Sequence, residues 1–517
     1  MARTTSVRTY GRQSRKLKKE LILPAPAQSP PKKDQGPRDS VSDLTEKLSV
    51  VRLDAHDEEV PEEFVPCEEP RPLQHDDADE RVENAPHLET SSEEREGKTE
   101  LRVLTWADIC PVGSQIEKIA EASYAEVYRI RNERGTSIIK AIRLQSPIKP
   151  QTKAQQKSEL VDEEPHCEED LVGELKISEW LADIPGFVVY KERYIVRGKT
   201  TPALLETHRT FHRRAKRKDP DRIQFYPSPS RYLDDTQFLV VELGDAGIAL
   251  EDFELVSVDQ LWDIFLLVAI ALARAEDQIK FEHRDLHEGN LCIRQVSTPS
   301  IRVASKKPVS NFGYSGLDIT ILDYGLSRGE APDEGDATPV AFDLERDLTL
   351  FRSTHAPQCA VYRQMRSFLL KGDRVHLPPK SHKTPYESGI DGPISWNGYY
   401  PYTNVLWLAY LYDYLTTNYR GPEKELKAFR QTTRELWAHL DPDAPRVILS
   451  FSSAVDVITF AVEAGWITEK QLMGDVSEIQ GTLVDDESRN ASIIEIIDTA
   501  SDEAGLRRSP RRRVRGA

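Results

Sequence analysis

The chain has 517 residues and a formal net charge of −17, so a strongly basic protein class is excluded, although both ends are basic. This length allows one large domain with flanking segments, or two or three smaller domains. The five cysteines are scattered without a Cys-x-x-Cys pair, which argues against a disulfide framework or a zinc site. The longest apolar run, IFLLVAIALA, is too short to cross a bilayer, and we expect no membrane partner.

The flanks differ from the middle of the chain in charge. A basic arm precedes Glu20, residues 54–100 are densely acidic, and the chain ends in RRSPRRRVRGA. Runs of like charge with few aromatic residues bury too little apolar surface to fold. We therefore predict disordered tails at residues 1–100 and 475–517. The Arg-rich end is typical of nuclear-import or nucleic-acid-contacting tails, and only non-specific contacts with nucleic acid are expected from it.

Apolar periodicity runs from about Leu101 to about Met473. The stretch IEKIAEASYAEVYRIRNERGTSIIKAIRL alternates apolar and polar residues and predicts three strands, with a turn at Asn132 to Gly135. Residues 145–170 are polar and are interpreted as an exposed insertion. LVGELKISEWLADI then has the spacing of a helix.

The second half of this region is mostly helical. DTQFLVVELGD predicts a buried strand, SVDQLWDIFLLVAIALARAEDQI a long buried helix, and DITILDYG a short strand among later helices. A strand-rich front and a helix-rich back indicate an α+β, bilobal fold. We place the domain at residues 101–474, with an N-lobe at about 101–247 and a C-lobe at about 248–474.

The segment FEHRDLHEGNLCIR contains the strongest chemical pattern. Asp285 is followed by Asn290, and Asp323 comes at the end of a predicted strand, before Gly325. Phosphoryl transfer uses one carboxylate to orient and deprotonate the accepting hydroxyl, while an Asn and a second Asp hold magnesium against nucleotide phosphates. The alternative interpretation is a capped loop beside a buried ion pair.

Residues upstream fit the same chemistry. Lys140 lies on the third predicted strand, where a cation would hold the α- and β-phosphates of ATP, and Glu174 on the next helix is a suitable ion-pair partner. Val127 and Tyr128 belong to the second strand, which would cover the adenine. Each charge alone would be interpreted as a solvated residue.

The phosphate-covering turn departs from the expected pattern. A G-x-G-x-x-G loop would place glycines where IAEASYAEVY has Ala120, Ala122 and Ala125. Glycine supplies backbone freedom and close approach to phosphate, whereas alanine still admits negative φ. We interpret the loop as weakened but competent.

The residue two places after Asp285 leaves the substrate class open. Most protein kinases have Lys there, and this chain has His287 in DLHEGN. Small-molecule phosphotransferases of the aminoglycoside and choline kinase type share D-L-H-x-G-N. The loop alone therefore does not separate a protein substrate from a small one.

Four blocks together, FEHRDLHEGN, ILDYGLSR, YYPYTNVLWLAYL and LSFSSAVDV, closely resemble haspin, a divergent family of eukaryotic protein kinases. In that family D-Y-T or D-Y-G replaces D-F-G, as Asp323-Tyr324-Gly325 does here, and the A-P-E motif is missing. The resemblance covers residues 101–473 and is weakest at 145–170 and 371–393.

The resemblance implies roles for the individual residues. Lys140 and Glu174 become the ion pair, Asp285 the catalytic base, and Asn290 and Asp323 the magnesium ligands. The nucleotide contacts include the hinge LGDAG, with Leu243 as gatekeeper, and are expected at Ala120, Ala122, Val127, Lys140, Leu243, Gly244, Asp245, Gly247, Asn290 and Asp323. His287 and Glu251 would contact the substrate, while Ala249 stands where the family usually has an aspartate.

The resemblance also implies a biological role. The family phosphorylates the third residue, a threonine, of the histone three tail during mitosis, and it is active without phosphorylation of its activation segment. We accordingly expect a monomer that acts on chromatin in the nucleus and on chromosomes, with some protein in the interphase cytoplasm.

The first residues, Met1-Ala2-Arg3-Thr4, match the start of that tail once Met is removed. We therefore hypothesise that the arm mimics the substrate and folds back into the cleft of the same chain, with Thr4 as a candidate autophosphorylation site. The alternative is a basic arm that contacts DNA phosphates or an importin. For the whole chain, a pseudokinase scaffold and a small-molecule kinase remain as alternative functions.

Overall fold

The computed structural model describes residues 101–122, 125–157, 164–166, 171–220, 222, 224, 226–300, 310–332, 338–473 and 492–494. All structural statements below concern these residues. The predicted tails lie outside them, apart from residues 492–494, and so does the candidate autophosphorylation site Thr4.

A six-stranded sheet forms the N-lobe. Its strands are β1 (Val103–Leu104), β2 (Gln115–Glu121), β3 (Glu126–Asn132), β4 (Gly135–Arg143), β5 (Tyr190–Arg197) and β6 (Gln237–Gly244). Their order is β1-β5-β6-β4-β3-β2, and neighbours are antiparallel except β1 and β5. The three strands predicted from alternation are β2, β3 and β4, and β3 and β4 are joined at the predicted turn. Alternate residues of β4 are buried, as period-two patterning requires.

Four helices accompany the sheet: α1 (Trp106–Ile109), α2 (Lys153–Lys157), α3 (Val172–Leu181) and α4 (Pro202–Lys218). The predicted helix is α3, and α2 lies in the predicted insertion. Neither α4 nor β5 was predicted. α4 begins with a proline after Thr201, whose side chain accepts a hydrogen bond from the backbone N–H of Leu204. It buries only Leu204 and His208, so its sequence is dominated by exposed basic residues.

The helical C-lobe contains α5 (Val258–Ile279), α6 (Thr349–Arg352), α7 (Gln358–Lys371), α8 (Tyr402–Asn418), α9 (Glu423–Thr432), α10 (Arg434–Leu440), α11 (Ala454–Glu463) and α12 (Glu469–Met473). The predicted long helix is α5, which begins at a capping box between Ser257 and Gln260. It is buried around most of its circumference, which explains its nearly continuous apolar sequence. In the described part of the chain, no helix is long and apolar enough to span a membrane.

Short strands connect the C-lobe helices: β7 (Ile248–Ala249), β8 (Leu291–Gln295), β9 (Leu317–Ile321), β10 (Arg328–Gly329), β11 (Val340–Ala341), β12 (Ser388–Gly389) and β13 (Gly392–Pro393). β7, β8 and β9 form one sheet below the hinge, and β9 is the short strand that the sequence predicts before Asp323. Within the described ranges, single 3₁₀ turns lie at Pro229–Arg231, Leu250–Asp252, Glu288–Asn290, Leu344–Arg346 and Pro379–Ser381. One hydrophobic core lies on the N-lobe sheet, and a larger one fills the C-lobe and also includes Ile177 and Leu181 of α3.

Candidate active site

The loop after α5 carries the predicted catalytic carboxylate, Asp285. The ring of the preceding His283 is fully buried and hydrogen-bonds the carbonyl oxygen of Leu322 over 2.9 Å. The backbone N–H of His283 donates to Oδ1 of Asn404 over 3.0 Å. Burial lowers the pKa of His283 to about 4, so the ring is neutral at neutral pH. The loop is thereby fixed between the end of β9 and α8.

A buried ion pair fixes the backbone beside Asp285. Arg284 has φ of 63°, a left-handed conformation that is strained for a residue with a side chain. Its Nε lies 3.1 Å from Oε2 of Glu282, and both side chains are fully buried. Glu282 also accepts hydrogen bonds from the backbone N–H of Tyr400 at 2.6 Å and the hydroxyl of Thr403 at 2.9 Å. These contacts hold the strained turn that presents Asp285 to the cleft.

The side chain of Asp285 is held by a residue that sequence reasoning did not identify. The hydroxyl of the fully buried Tyr362 donates to Oδ1 of Asp285. The amide nitrogen of Asn290 donates to the backbone carbonyl of Asp285 over 2.8 Å, and Nε2 of His287 lies 3.9 Å from Oδ1. Burial raises the pKa of Asp285 to about 6, although His287 and Tyr362 oppose the shift. The carboxylate is therefore ionised at neutral pH and poised to accept a proton.

The N-lobe brings a second group of predicted residues to the same cleft. Nζ of Lys140, on β4, lies 2.6 Å from Oε1 of Glu174, on α3. The same Nζ is 3.8 Å from Oδ1 of Asp323, whose backbone φ is 64°. Burial opposes ionisation of Asp323, but Lys140 holds the pKa of this carboxyl below its ordinary value. The ion pair and the second aspartate are thus in place together.

Asn290 and Asp323 fit a magnesium ion chemically. Mg²⁺ prefers oxygen ligands and is typically held by one or two protein groups together with substrate phosphates. The amide nitrogen of Asn290 donates to the backbone carbonyl of Asp285, so its side-chain oxygen is the atom that would coordinate a cation. Asp323 supplies a carboxylate with a lowered pKa.

The phosphate-covering hairpin is closed without glycine. Ala120 pairs with Val127 across β2 and β3, and the backbone N–H of Ala122 donates to the carbonyl of Ala125 over 2.9 Å. The hydroxyl of Tyr226 donates to the carbonyl of Ala122 over 2.7 Å. Neither Ala122 nor Ala125 has a positive φ. The backbone conformation at these two positions therefore does not require glycine.

Beneath the hairpin lies a buried charge cluster, formed by Lys118, Glu121, Glu126, His208 and His212. Nζ of Lys118 contacts the carboxylate of Glu126, lies 2.9 Å from Glu121, and lies 3.4 Å from Nδ1 of His208. Nε2 of His212 is 3.2 Å from Glu121. The two histidines come from α4, whereas the other members flank the hairpin. The unpredicted helix therefore anchors the phosphate-covering turn.

The charges within the cluster favour the ionised form of its two carboxyl groups. Burial alone would raise the pKa of Glu121, but His212 and Lys118 lower it to about 2. Burial likewise opposes ionisation of Glu126, and Lys118 and His208 hold its pKa well below the usual range. Burial lowers the pKa of His208. The cluster is a mutually compensated set of buried charges.

The hinge follows β6, as the resemblance implies. Leu243 is partly buried and packs on the C-lobe core, and Gly244 is the last residue of β6. Oδ1 of Asp245 accepts a hydrogen bond from the backbone N–H of Gly247 over 3.2 Å. Gly247 has φ of +97°, and a Cβ there would lie 2.4 Å from the carbonyl oxygen of Ile293. Glycine is required at this position by both conformation and space.

Acidic residues lie beside the catalytic loop, where a substrate would enter the cleft. Burial raises the pKa of Glu251, and the neighbouring Asp252 and Glu288 raise it further, while His287 opposes them. The hydroxyl of Tyr410 donates to Oε2 of Glu288 over 2.5 Å. We call Glu251, Asp252 and Glu288 the acidic entrance. Its concentrated negative charge suits a cationic ligand.

A buried ion pair anchors the segment after the Asp323-Tyr324-Gly325 triplet. The guanidinium of Arg366 donates to both oxygens of Glu345, over 2.7 and 2.9 Å, and both side chains are fully buried. Nε1 of Trp396 reaches the same carboxylate at 3.4 Å. In this chain the pair ties the segment to α7 without an A-P-E sequence. The sequence analysis noted that the A-P-E motif is missing, but it did not predict the Arg366–Glu345 ion pair.

The structure brings Lys140, Glu174 and Asp323 into direct contact, and it does the same for Asp285 and Asn290. His287 and Glu251 lie together at the acidic entrance, and the hinge residues follow β6. The roles assigned to these residues stay predictions. Tyr362 and the histidines of α4 were missed because their contacts join positions about 80 to 90 residues apart.

A sheet-containing lobe with a Lys–Glu pair, joined by a hinge to a helical lobe that supplies Asp, Asn and Asp, is the architecture and site of a protein kinase. A sequence model of the "Haspin like kinase domain" matches residues 37–457. The chain therefore belongs to the haspin-like kinase family, and the resemblance inferred from its motifs is confirmed. The match begins upstream of the predicted domain start at residue 101.

Curated relatives agree with this assignment. Serine/threonine-protein kinase haspin of Mus musculus is 29% identical over 344 residues, which cover 66% of this chain and 40% of the mouse protein. The haspin homolog hrk1 of Schizosaccharomyces pombe is 26% identical over 348 residues, covering 63% of this chain and 61% of that protein. The homolog of Drosophila melanogaster is 26% identical over 57% of this chain and 47% of its own length. The chain thus spans between two fifths and about three fifths of these relatives.

Proposed function

We propose that the chain is a serine/threonine protein kinase that uses ATP and magnesium. The observation that carries the proposal is the arrangement of Asp285 beside Asn290, with Asp323 next to the Lys140–Glu174 pair. When bound, MgATP supplies the phosphoryl group and neutralises its charge. Lys140 would hold the α- and β-phosphates, and Asn290 and Asp323 would hold the metal.

In the proposed reaction Asp285 acts on the acceptor hydroxyl. Its carboxylate would accept a hydrogen bond from the hydroxyl and orient the oxygen toward the γ-phosphorus. It would receive the proton as the bond from this oxygen to the phosphorus forms and the bond to the β,γ-bridging oxygen breaks, with ADP as the leaving group. With a pKa of about 6, it is ionised before the reaction and basic enough to take the proton. The Tyr362 hydroxyl and the Asn290 amide fix the carboxylate and its backbone.

We further propose that the substrate is a threonine near the amino terminus of the histone three tail, phosphorylated in mitosis. The acidic entrance supports this proposal because a free amino terminus and an arginine are both cationic. Glu251 is exposed there and its carboxyl pKa is raised by its surroundings, with the neighbouring Asp252 and Glu288 contributing, so a bound cation would offset the repulsion among these carboxylates. Ala249, at the end of β7, contributes no charge. The preference for the arginine is therefore expected to rest on the acidic entrance.

One observation favours a second function, a scaffold that binds nucleotide without catalysis. The hairpin over the phosphates lacks all three glycines. The buried charge cluster speaks against this alternative, because Lys118 joins Glu121 and Glu126, the two carboxylates that flank two of the alanine positions. A small-molecule kinase is supported only by DLHEGN. The acidic entrance does not separate the two functions, because aminoglycosides and choline are cationic as well, so the peptide assay decides between them.

The test uses the purified chain with ATP, magnesium and a peptide that begins Ala-Arg-Thr. We expect phosphate on the peptide threonine, and we expect Asp285→Asn to lower the rate by about 10²- to 10⁴-fold because the general base is lost. Glu251→Gln should raise the peptide KM with a smaller change in kcat. Acetylation of the peptide amino terminus should do the same.

Two results would contradict the proposal. Nucleotide binding without phosphate transfer to any protein would favour the scaffold. Transfer to aminoglycoside or choline-type alcohols, but not to the peptide, would favour the small-molecule kinase. The Asp285→Asn chain must retain nucleotide binding, so that loss of activity is assigned to chemistry and not to folding.

We also propose that the protein works as a monomer on chromatin, in the nucleus and on chromosomes, with an interphase cytoplasmic pool. Imaging of a fluorescent fusion through the cell cycle tests this proposal. Exclusion from mitotic chromosomes would contradict it.

A further inference from the structure

Three residues of the C-terminal region, Ser492 to Ile494, are part of the N-lobe. The side chains of Ile493 and Ile494 are each 3% exposed and belong to the N-lobe core, together with Ile139 and Tyr194. They lie in the region 475–517 that sequence analysis assigned to a disordered tail, and the structure describes these three residues as packed against the sheet. No part of the proposed reaction requires them to be there.

Polar contacts fix the segment as firmly as its apolar side chains do. The backbone N–H of Ile493 donates to Oε1 of Glu242 over 2.9 Å, and the hydroxyl of Ser492 donates to Oε2 over 2.7 Å. The side-chain amide of Asn132 donates to the carbonyl oxygen of Ile493 over 2.8 Å. Both polar groups of the Ile493 backbone are therefore satisfied by the sheet.

The carboxylate that receives this segment is fully buried. Glu242 also accepts hydrogen bonds from the hydroxyls of Ser137, over 2.6 Å, and Tyr194. Two of its four donors thus come from the C-terminal segment. If the segment leaves, a buried carboxylate loses half of its hydrogen bonds, and an apolar groove opens to water.

Glu242 immediately precedes the hinge. Successive residues of a strand point to opposite faces, so Glu242 faces the N-lobe core while Leu243 faces the C-lobe side. The segment also packs near the turn between β3 and β4, where a Cβ on Gly135 would lie 3.9 Å from Ile493. A displacement of Glu242 would therefore move the residue that begins the nucleotide-binding hinge.

The chain is long enough to reach this groove from the end of the C-lobe. Residues 474–491 separate α12 from Ser492, and an extended chain of that length reaches about 60 Å. A tether of this length also gives the segment a high effective concentration at the groove.

We propose that Ser492–Ile494 is an intramolecular docking segment whose occupation of this groove sets nucleotide affinity through Glu242 and the hinge. Because coupling is reciprocal, bound nucleotide should strengthen docking by the same factor. Negative charge added at Ser492 would lie against Glu242 and would release the segment. The proposal requires only that the cleft bind nucleotide, so it stands even if the phosphate-transfer assay fails.

The main experiment compares two double variants of the full chain. Ile493→Asp with Ile494→Asp removes docking, and Val447→Asp with Leu449→Asp makes the same change at positions that are 90% and 79% exposed. We expect the first to lower the unfolding midpoint by about 5 °C or more. It should also weaken binding of a fluorescent ATP analogue roughly fivefold or more. The second should change neither measurement.

A separately added peptide tests whether occupation of the groove is what raises nucleotide affinity. Addition of DESRNASIIEIID, residues 486–498, should restore nucleotide affinity to the first double variant. In the unmodified chain, the amide of Ile493 should be protected from hydrogen exchange, and saturating nucleotide should increase that protection. These two measurements keep the proposal testable if the double variant folds poorly.

A charge cycle separates the role of Glu242 from general destabilisation. Ser492→Glu should weaken nucleotide binding in the unmodified chain, but much less in a Glu242→Gln background. Equal effects in both backgrounds would overturn the proposed route through Glu242. Unchanged nucleotide affinity in the undocked variant, even with a lower unfolding midpoint, would overturn the coupling itself.

Discussion

The catalytic loop and the phosphate-covering hairpin meet at one cleft, yet they are held in different ways. The loop around Asp285 is fixed by a hydrogen bond that the backbone N–H of His283 donates to Asn404 and by one that Tyr362 donates to Asp285, both partners lying on neighbouring helices of the same lobe. The hairpin is fixed by the buried charges of Lys118 and its partners, and α4 supplies the two histidines. The loop matches the expected kinase motif, whereas the hairpin has alanine at the three positions where the motif has glycine.

The two regions differ because they contribute different groups to the cleft. The loop must present specific atoms to a reacting hydroxyl, so its side chains are restricted by chemistry. The hairpin contributes mainly backbone, and a backbone can be ordered by support from beneath instead of by glycine conformations. Four predictions test this contrast, taken in order of decreasing expected effect.

The largest effect is expected from Lys118→Met. The substitution leaves Glu121 and Glu126 buried without their shared cation, which costs about 3–5 kcal/mol of unfolding free energy. Guanidinium denaturation should show the loss. Lys199→Met is the control, because Lys199 pairs with Asp234 at a site where the side chains are 58% and 82% exposed, and it should cost less than about 1 kcal/mol. Similar losses from both changes would show that the cluster is not a support.

The second prediction concerns pH. The pKa of Glu121 is about 2 in the folded chain and near 4.3 when unfolded, so the unfolded chain binds more protons between these values. The stability from this carboxylate is complete above about pH 5 and is lost as the pH falls toward 2. His208 acts in the same direction below about pH 6.5, because burial lowers its pKa.

Glu121→Gln should therefore be less stable than the unmodified chain by up to about 3 kcal/mol at pH 7, with the gap falling to about half of this at pH 3 and closing only below about pH 2. Denaturation series at pH 7, 5, 4 and 3 measure this. Glu206→Gln removes an exposed carboxylate of α4 and should show no such convergence. A gap that stays constant with pH would assign the loss to packing instead of ionisation.

The same contrast explains how far the sequence could be interpreted. Asp285, Asn290 and Asp323 could be placed because their spacing alone predicts a turn after a helix and a strand end. Neither β5 nor α4 was predicted. For α4 the reason is that it has few apolar residues and that its buried positions contact β2, which is distant in the sequence. Ile493 and Ile494 could not be found either, since two apolar residues in a polar region carry no periodicity. Contacts between residues that are far apart in the sequence leave no pattern in either local segment, so they cannot be predicted from it.

The third prediction tests the support of the loop. Tyr362→Phe removes the hydroxyl that donates to Asp285, and it should lower kcat about three- to tenfold with little change in peptide KM. Tyr412→Phe is the matched control, because it removes a buried hydroxyl that bonds Thr433 at 2.7 Å, away from the cleft. Each variant should lose about 1 kcal/mol of stability. Equal kcat losses in both variants would make Tyr362 a structural residue only.

The smallest effect is expected where the motif differs most from the family pattern. Ala122→Gly restores a glycine, but Ala122 does not adopt positive φ, so glycine adds unfolded-state entropy without relieving strain. We expect a loss of about 0.5–1 kcal/mol and a rise in the nucleotide KM of no more than about threefold. Ala438→Gly, on α10, is a control for the general cost of glycine. A clear gain in nucleotide affinity from Ala122→Gly would mean that close approach to phosphate outweighs backbone order, and the contrast between the two regions would then rest on the charge cluster alone.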